Sequence, residues 1–353
     1  MLNKKHIIFF TPGLVIGGVE RVMVNYANLL ADCGFKTTYL TLHEKCDFNH
    51  ILSDKVSLCN LKTNKLRKSA WKIAKFLKKS DAAYIMTGNA ATSIIVLAKI
   101  MANSKIKILA SHHSYINSET NFIDRYIFNH LYNTCYKVIA ISDGIERFLL
   151  QHKVKKEKIV KLYNPIDFDA ITKLSNQFNF RPDSSYIVFV GRICEVKRID
   201  LLICAFSNLP DKSLKLIIIG DGPCKNSLID LTKKLDVYSR VDFLGIQENP
   251  YPYIKNAKIV ALSSESEAFP TILIEGLLLG KTIVSTPVPG AIEILHDGQL
   301  GYISKSHSID DYYQTLLKAI KKPMDSSFLI TKTKEYYSPQ ITINKFKQLI
   351  CNK

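Results

Sequence analysis

The order of β-rich and amphipathic helical runs constrains this chain more than any single residue. HIIFFT (6–11) is a short run of strand formers, PGLVIGG (12–18) is a turn region, and VERVMVNYANLLADCG (19–34) has apolar residues at helical spacing and stops at Gly34. KTTYLTL, DAAYIMTG, KIKILASH and KVIAIS follow as strands separated by helical stretches. Such alternation predicts a parallel, doubly wound sheet. VKLYNPIDFD (160–169), with Asn164-Pro165 as a turn signal, closes this half, and a polar stretch (172–185) follows. The alternation then restarts with SYIVFVG, RIDLLICAFSNL, LKLIIIGDG, CKNSLIDLTKKL, VDFLG, AKIVALSS and TIVST. The expected fold is α/β, with two facing doubly wound domains at 1–165 and 166–337. Ligands of such sheets bind beyond the carboxyl ends of the strands, so one cleft between the domains is expected, with 164–180 as its hinge. The last stretch, YYSPQITINKFKQLICNK (336–353), reads as a short helix whose placement does not follow from its pattern.

Composition narrows the chemistry. A chain of 353 residues, 47% hydrophobic, has enough apolar surface for two real cores. Its eight cysteines are scattered without a CxxC pair, which argues against a disulfide framework or zinc site and for a reducing compartment. Pro12 and Gly13 interrupt the apolar N-terminal run, so no signal peptide is expected. AATSIIVLAKIMA (90–102) is too short to span a bilayer and contains Lys99. The net charge is +17, and residues 1–165 carry +14 of it. The excess peaks in KTNKLRKSAWKIAKFLKK (62–79), with eight basic residues and no acidic one. Leu66, Ala70, Ile73 and Leu77 there follow helical spacing. Such a helix is either an ordinary solvated face or a surface drawn to anionic lipid. Nothing nearby has the form of a nucleic-acid-binding module, so no nucleic-acid partner is expected.

Four constellations are candidates for chemistry. In SSESEAFPTILIEGLLLGKTIVS (263–285), Glu267 precedes a helix that Pro270 suits as its first turn, and Glu275 lies about 6–8 Å along it. Carboxylates accept hydrogen bonds from a polyol, and a helix N-terminus suits phosphate. The alternative is a set of solvent-facing glutamates, Glu265 included. In FVGRICEVKRID (189–200), Arg192 and Lys197 follow a strand and can neutralise a diphosphate, or simply pair with Glu195 or Asp200. Gly17 and Gly18 precede a helix and allow backbone to approach a ligand. In ASHHSY (110–115), His112 and His113 lie at a strand's end, where one of them can face a ligand or both be structural. DFD (167–169) has the spacing of an acidic metal motif but follows a turn, without further ligands, and no metal site is expected.

Together these segments resemble the retaining glycosyltransferases of family 4, which have the GT-B fold of two Rossmann-like domains. The resemblance is carried by GGVERVMVNYANLLADCGF, SHHS, AISDGIERFL, YNPID, FVGRICEVKRIDLLICAF, IIGDGP, VDFLG, NPYPYIKNAKIVALSSESEAFPTILIEGLLLGKTIVST and EILHDGQLGY, in order over almost the whole chain. It implies that Glu267 lies near the donor sugar, that Glu275 meets the ribose, and that Arg192 and Lys197 hold the diphosphate. It also implies that the backbone of Phe269, Pro270 and Thr271 meets sugar or phosphate, that Gly17 and Gly18 face the donor, and that His113 serves in the cleft. Glu267, His113, Arg192 and Lys197 are thus the expected catalytic set. Residues 338–353 are expected to cross back onto the first, acceptor-binding domain, with the second binding the donor. Ala268 stands where glycine is common, and PVPGAIEIL (287–295) only approximates the usual donor loop.

The expected reaction is transfer of a hexose or N-acetylhexosamine from a nucleotide sugar, UDP-linked, without a metal or cofactor. The acceptor is a membrane-associated glycan of the capsule, lipopolysaccharide or O-antigen type. The enzyme is expected in the cytoplasm, peripheral at the inner membrane face, with Lys72, Lys75 and Lys79 touching anionic lipid. Alternatives on the same fold are a nucleotide-sugar epimerase or phosphorylase, or a non-catalytic glycan-binding subunit.

Overall fold

The computed structural model describes residues 5–14, 17–43, 51–63, 66–88, 91–115, 130–178, 180 and 183–351, with backbone alone at 66–68. The chain divides into two compact units, Met1–Ile166 with Pro339–Lys353, and Asp167–Ser338.

In the first unit β1 (His6–Phe10) pairs with β2 (Lys36–Thr41) on one side and β4 (Tyr84–Gly88) on the other. β3 (Ser57–Asn60) extends the sheet beyond β2. β5 (Lys107–His112), β6 (Lys137–Ala140) and β7 (Ile159–Lys161) extend it beyond β4. All of these pairings are parallel. The short outer strands β3 and β7 escape the sequence pattern because their residues are only half-buried or exposed. Winding outward from β1 and then restarting at β4 creates a topological switch point between those two strands.

Alternate strand residues serve opposite faces of this sheet. Ile7 and Phe9 join a core with Met23, Tyr26, Ala27 and Leu30 of α1 (Gly18–Asp32). Ile343, Phe346 and Ile350 of the terminal helix (Pro339–Cys351) complete it, with Phe346 packed on Tyr26 at 5.2 Å between ring centroids. Tyr84 Oη donates to the Ile350 carbonyl at 3.0 Å. α2 (Leu66–Lys79) and α3 (Thr92–Ala102) connect β3 to β4 and β4 to β5. They pack on each other and, by the right-handed rule for parallel crossovers, cover the other face. Ala70, Ile73, Ala74 and Leu77 form the buried side of α2. Lys72 is half-buried on α2. Its ammonium donates to the carbonyls of Leu61 at 2.8 Å and Lys62 at 2.7 Å, which straps the preceding loop to the helix.

The second unit repeats the plan. β8 (Tyr186–Val190) is flanked by β9 (Lys215–Ile219) and β11 (Ile259–Leu262), with β10 (Val241–Gly245) outside β9. β12 (Thr282–Ser285) and the two-residue β13 (Tyr302–Ile303) lie beyond β11. The switch point here falls between β8 and β11, so the loops after these two strands are neighbours at the carboxyl edge. Those loops are 191–198 and 263–270.

Candidate active site

The loop after β8 starts with a close backbone approach. Gly220 has φ +136, and a Cβ there would lie 1.9 Å from the Gly191 carbonyl oxygen. Ile193 N–H donates to the Asp221 carbonyl at 2.9 Å, so GDG (220–222) holds this loop in place. Arg192 is exposed, and its guanidinium makes no hydrogen bond or ion pair among the described residues. The loop then enters a 3-10 turn, Glu195–Lys197, followed by Arg198 in the left-handed region at φ 44.

This turn is stitched to the loop after β11. Ser263 Oγ donates to the Lys197 carbonyl at 2.8 Å, and Glu265 N–H donates to the Val196 carbonyl at 2.8 Å. Arg198 adds ion pairs to Asp200 at 3.2 Å and Glu265 at 3.1 Å. The stitching brings the Lys197 ammonium against Glu267 Oε1 in a part-buried ion pair. Ser264 Oγ donates to the same Oε1 at 2.8 Å. Both contacts go to one oxygen, so Oε2 is left without a hydrogen bond among the described residues. Cation and carboxylate are therefore direct partners here, whereas the sequence reading separates them into a phosphate end and a hydroxyl end. Glu265, the third glutamate, belongs to Arg198.

The expected helix after Pro270 is α4 (Thr271–Leu278), and no side chain caps it. Of its first-turn N–H groups, that of Leu273 donates to the Pro270 carbonyl at 3.1 Å, while those of Thr271 and Ile272 lie at the helix start. Glu275 lies just over one turn in and is buried. Phe269 is buried with its ring against Tyr337, at 6.5 Å between centroids, so only its backbone is offered to a ligand. Pro270 is buried and Thr271 half-buried. The PVPG turn (287–290) packs directly on this segment. Gly290 N–H donates to the Glu267 carbonyl at 3.2 Å, and a Cβ on Gly290 would lie 2.6 Å from the Ala268 carbonyl oxygen. Ser263, Ser264, Arg198 and Gly290 were not singled out in the sequence. The first two look like ordinary strand-end serines, and Arg198 is hidden beside Lys197.

In the first unit, Gly17 precedes α1 with extended backbone at φ −160. A Cβ added to Gly18 would meet nothing within 4 Å. Packing within the unit therefore does not require glycine there, at the switch point beside β4. The two histidines separate sharply. His112 is fully buried, stacked on Phe148 at 5.5 Å, with Nδ1 2.9 Å from the Tyr132 hydroxyl. His113 is half-buried just past the strand end, with Nε2 2.8 Å from Ser111 Oγ. Burial lowers His112 to about 3 and His113 to about 4, so both are neutral at pH 7. His113 is thus the histidine at the open end of β5. In DFD, Asp167 caps the helix Phe168–Ser175 by accepting from Ala170 N–H at 2.9 Å. No cluster of three or more metal-ligating side chains occurs among the described residues.

Two doubly wound units of this kind are the GT-B fold. The chain belongs to the glycosyltransferases: residues 16–170 match the Glycosyltransferase Family 4 model and residues 170–336 the model of glycosyl transferases group 1. It is 26% identical over 321 residues to an uncharacterized glycosyltransferase of Haemophilus influenzae, covering 87% of this chain and 88% of that one. It is also 26% identical over 324 residues, with the same coverage, to the N-acetylgalactosamine-N,N'-diacetylbacillosaminyl-diphospho-undecaprenol 4-alpha-N-acetylgalactosaminyltransferase of Campylobacter jejuni. Among solved structures, Anabaena HepE in complex with UDP and glucose superposes with a TM-score of 0.82 at 18% identity, over 99% of this chain and all of that one.

Proposed function

We propose that this glycosyltransferase moves a hexose or N-acetylhexosamine from a UDP-linked donor to a membrane-associated glycan, with retention of anomeric configuration. The observation that carries this reading is the arrangement at the switch point of the second unit. Arg192, without a hydrogen bond or ion pair among the described residues, a Lys197–Glu267 pair and an uncapped helix start share one edge. Lysine has three N–H donors, and Glu267 uses one, so the ammonium can hold a diphosphate and the carboxylate together. The unbonded Oε2 of Glu267 then accepts from a sugar hydroxyl, and Glu275 from the ribose.

Departure of the nucleoside diphosphate concentrates negative charge on the β-phosphate oxygens. Arg192, Lys197 and the N–H groups at the start of α4 offset that charge, in the role a divalent cation plays elsewhere. In the first unit, Gly18 leaves open space at the start of α1, and neutral His113 is available to accept a hydrogen bond or proton from an acceptor. A membrane-linked acceptor is supported by the charge of the first unit and by the Campylobacter relative, whose name specifies a diphospho-undecaprenol-linked substrate. No described helix is long and apolar enough to cross a membrane; the peripheral placement at the cytoplasmic face rests on the basic charge of the first unit and on the membrane-linked acceptor proposed.

The test is a panel of UDP-, GDP- and ADP-sugars scored by thermal stabilisation, followed by labelled transfer. UDP-sugars alone should raise the melting temperature, and label should appear on a separate lipid-linked glycan. Glu275→Gln should cut turnover strongly without unfolding. Label confined to an epimerised donor would reject transfer.

A further inference from the structure

The exposed face of α2 and α3 holds charge and apolar surface in separate rows. On α2, Trp71, Lys75 and Lys78 follow one another at four- and three-residue spacing, with Lys79 beside them. Lys75 lies over the Trp71 ring, 5.4 Å from its centroid. Lys75, Lys78 and Lys79 are exposed and have no carboxylate partner among the described residues. Side by side with them, α3 turns Leu97, Ile100 and Met101 to solvent, which are 50%, 70% and 51% exposed; Trp71 is 57% exposed. The spacing 97, 100, 101 places these three on one side of α3, while Ile95, Val96 and Ala98 are buried. Both helices cover the same sheet face, so both exposed rows look away from the sheet.

We infer that this face is a membrane-insertion surface. Leu97, Ile100, Met101 and the Trp71 ring enter the acyl boundary of an anionic leaflet, while Lys75, Lys78 and Lys79 hold lipid phosphates. Charge complementarity selects this occupant. Three uncompensated ammonium groups beside an apolar row would repel a second copy of the same face and attract an anionic leaflet. The inference deepens the peripheral placement proposed above and rests on it. That placement needs only that lipid is bound; insertion needs these particular side chains to leave water. The basic run of α2 was visible as charge in the sequence. The apolar row of α3 was not, because an isolated apolar helix reads as core.

Trp71 is the only tryptophan of the chain, so its fluorescence reports directly on this surface. The unmodified protein is titrated with vesicles of phosphatidylcholine containing phosphatidylglycerol, and with phosphatidylcholine alone. The expected result is a blue shift and protection from acrylamide quenching with the anionic vesicles. Replacing Leu97, Ile100 and Met101 together by serine should weaken partitioning at least about tenfold. Reversing Lys75, Lys78 and Lys79 to glutamate should abolish the preference for anionic vesicles. The melting temperature and donor-induced stabilisation of both variants verify that the fold is kept. Vesicle binding with Trp71 still fully quenchable overturns insertion and leaves the peripheral placement standing. No binding to either vesicle overturns both. A blue shift with protein concentration in the absence of vesicles, accompanied by dimers in sedimentation, makes a second copy the occupant and also overturns the inference.

Discussion

Lys197 and Glu267, seventy residues apart in the chain, meet in a part-buried ion pair that places a cation and a carboxylate in one position at the edge of the second sheet. Neither residue is held there by its own loop alone. The Ser263 and Glu265 contacts to residues 196–197 tie the two loops together, and the pair sits within that frame. A carboxylate so fixed needs no reorganisation to meet an incoming hydroxyl, and a lysine so fixed presents its remaining donors in a set direction.

Breaking the pair from one side should therefore cost stability as well as turnover. Lys197→Met and Glu267→Gln are each expected to destabilise the protein by about 1–3 kcal/mol, because each leaves a part-buried polar partner unmatched. The double variant should recover most of that loss while sugar transfer stays down by about 100-fold or more. Urea denaturation and labelled-donor turnover measure the two quantities separately. Near wild-type transfer by the double variant would remove Lys197 and Glu267 from the chemistry.

Arg192 should behave in the opposite way. It is exposed and makes no side-chain contact that the fold depends on, so Arg192→Ala should leave stability within about 0.5 kcal/mol of the parent. Donor affinity should fall roughly tenfold to a hundredfold, the loss of one charge-assisted contact to phosphate. Calorimetric titration with UDP checks this, since UDP carries the diphosphate without the sugar. Unchanged UDP affinity would assign the diphosphate to other groups.

Two glycines should separate packing from ligand room. Gly220→Ala forces a Cβ onto the Gly191 carbonyl oxygen at φ +136, so the variant should fail to fold or melt far below the parent. Gly18→Ala meets open space and lies at a helix start, so its melting temperature should hold. If the donor approaches that backbone, Gly18→Ala should still raise the donor KM several-fold. A normal KM would mean that Gly18 faces no ligand.

Much of the second unit's site was legible because its residues lie in strong patterns. Arg192 and Lys197 follow an unbroken strand run, and Glu267 and Glu275 bracket a helix start that Pro270 announces. The direct contact of Lys197 with Glu267 was not legible, since it depends on β8 and β11 being sheet neighbours and on backbone stitching that any sequence can make. The terminal helix posed a similar problem. Its apolar residues Ile343, Phe346 and Ile350 mark a buried side, but only the fold shows that α1 receives it. The histidine pair stayed ambiguous because adjacent strand residues point to opposite faces. The core around Phe148 and Tyr132 decides which is which.

That burial gives the first unit a pH dependence of definite sign. His112 is held at about 3 by burial among aromatic rings, against an ordinary value of 6.5. Between those values the unfolded chain binds a proton that the folded chain refuses, so stability falls as pH drops through 6.5 and continues to fall towards the folded value. At pH 5 the loss from His112 alone is about 2 kcal/mol, and His113, also lowered by burial, acts in the same direction. Equilibrium denaturation at pH 7 and pH 5 should show this loss in the parent. His112→Gln should be less stable at pH 7, where it loses a well-packed ring, but its stability should change less between the two pH values. If parent and variant lose equal stability from pH 7 to pH 5, His112 is not the group that excludes the proton.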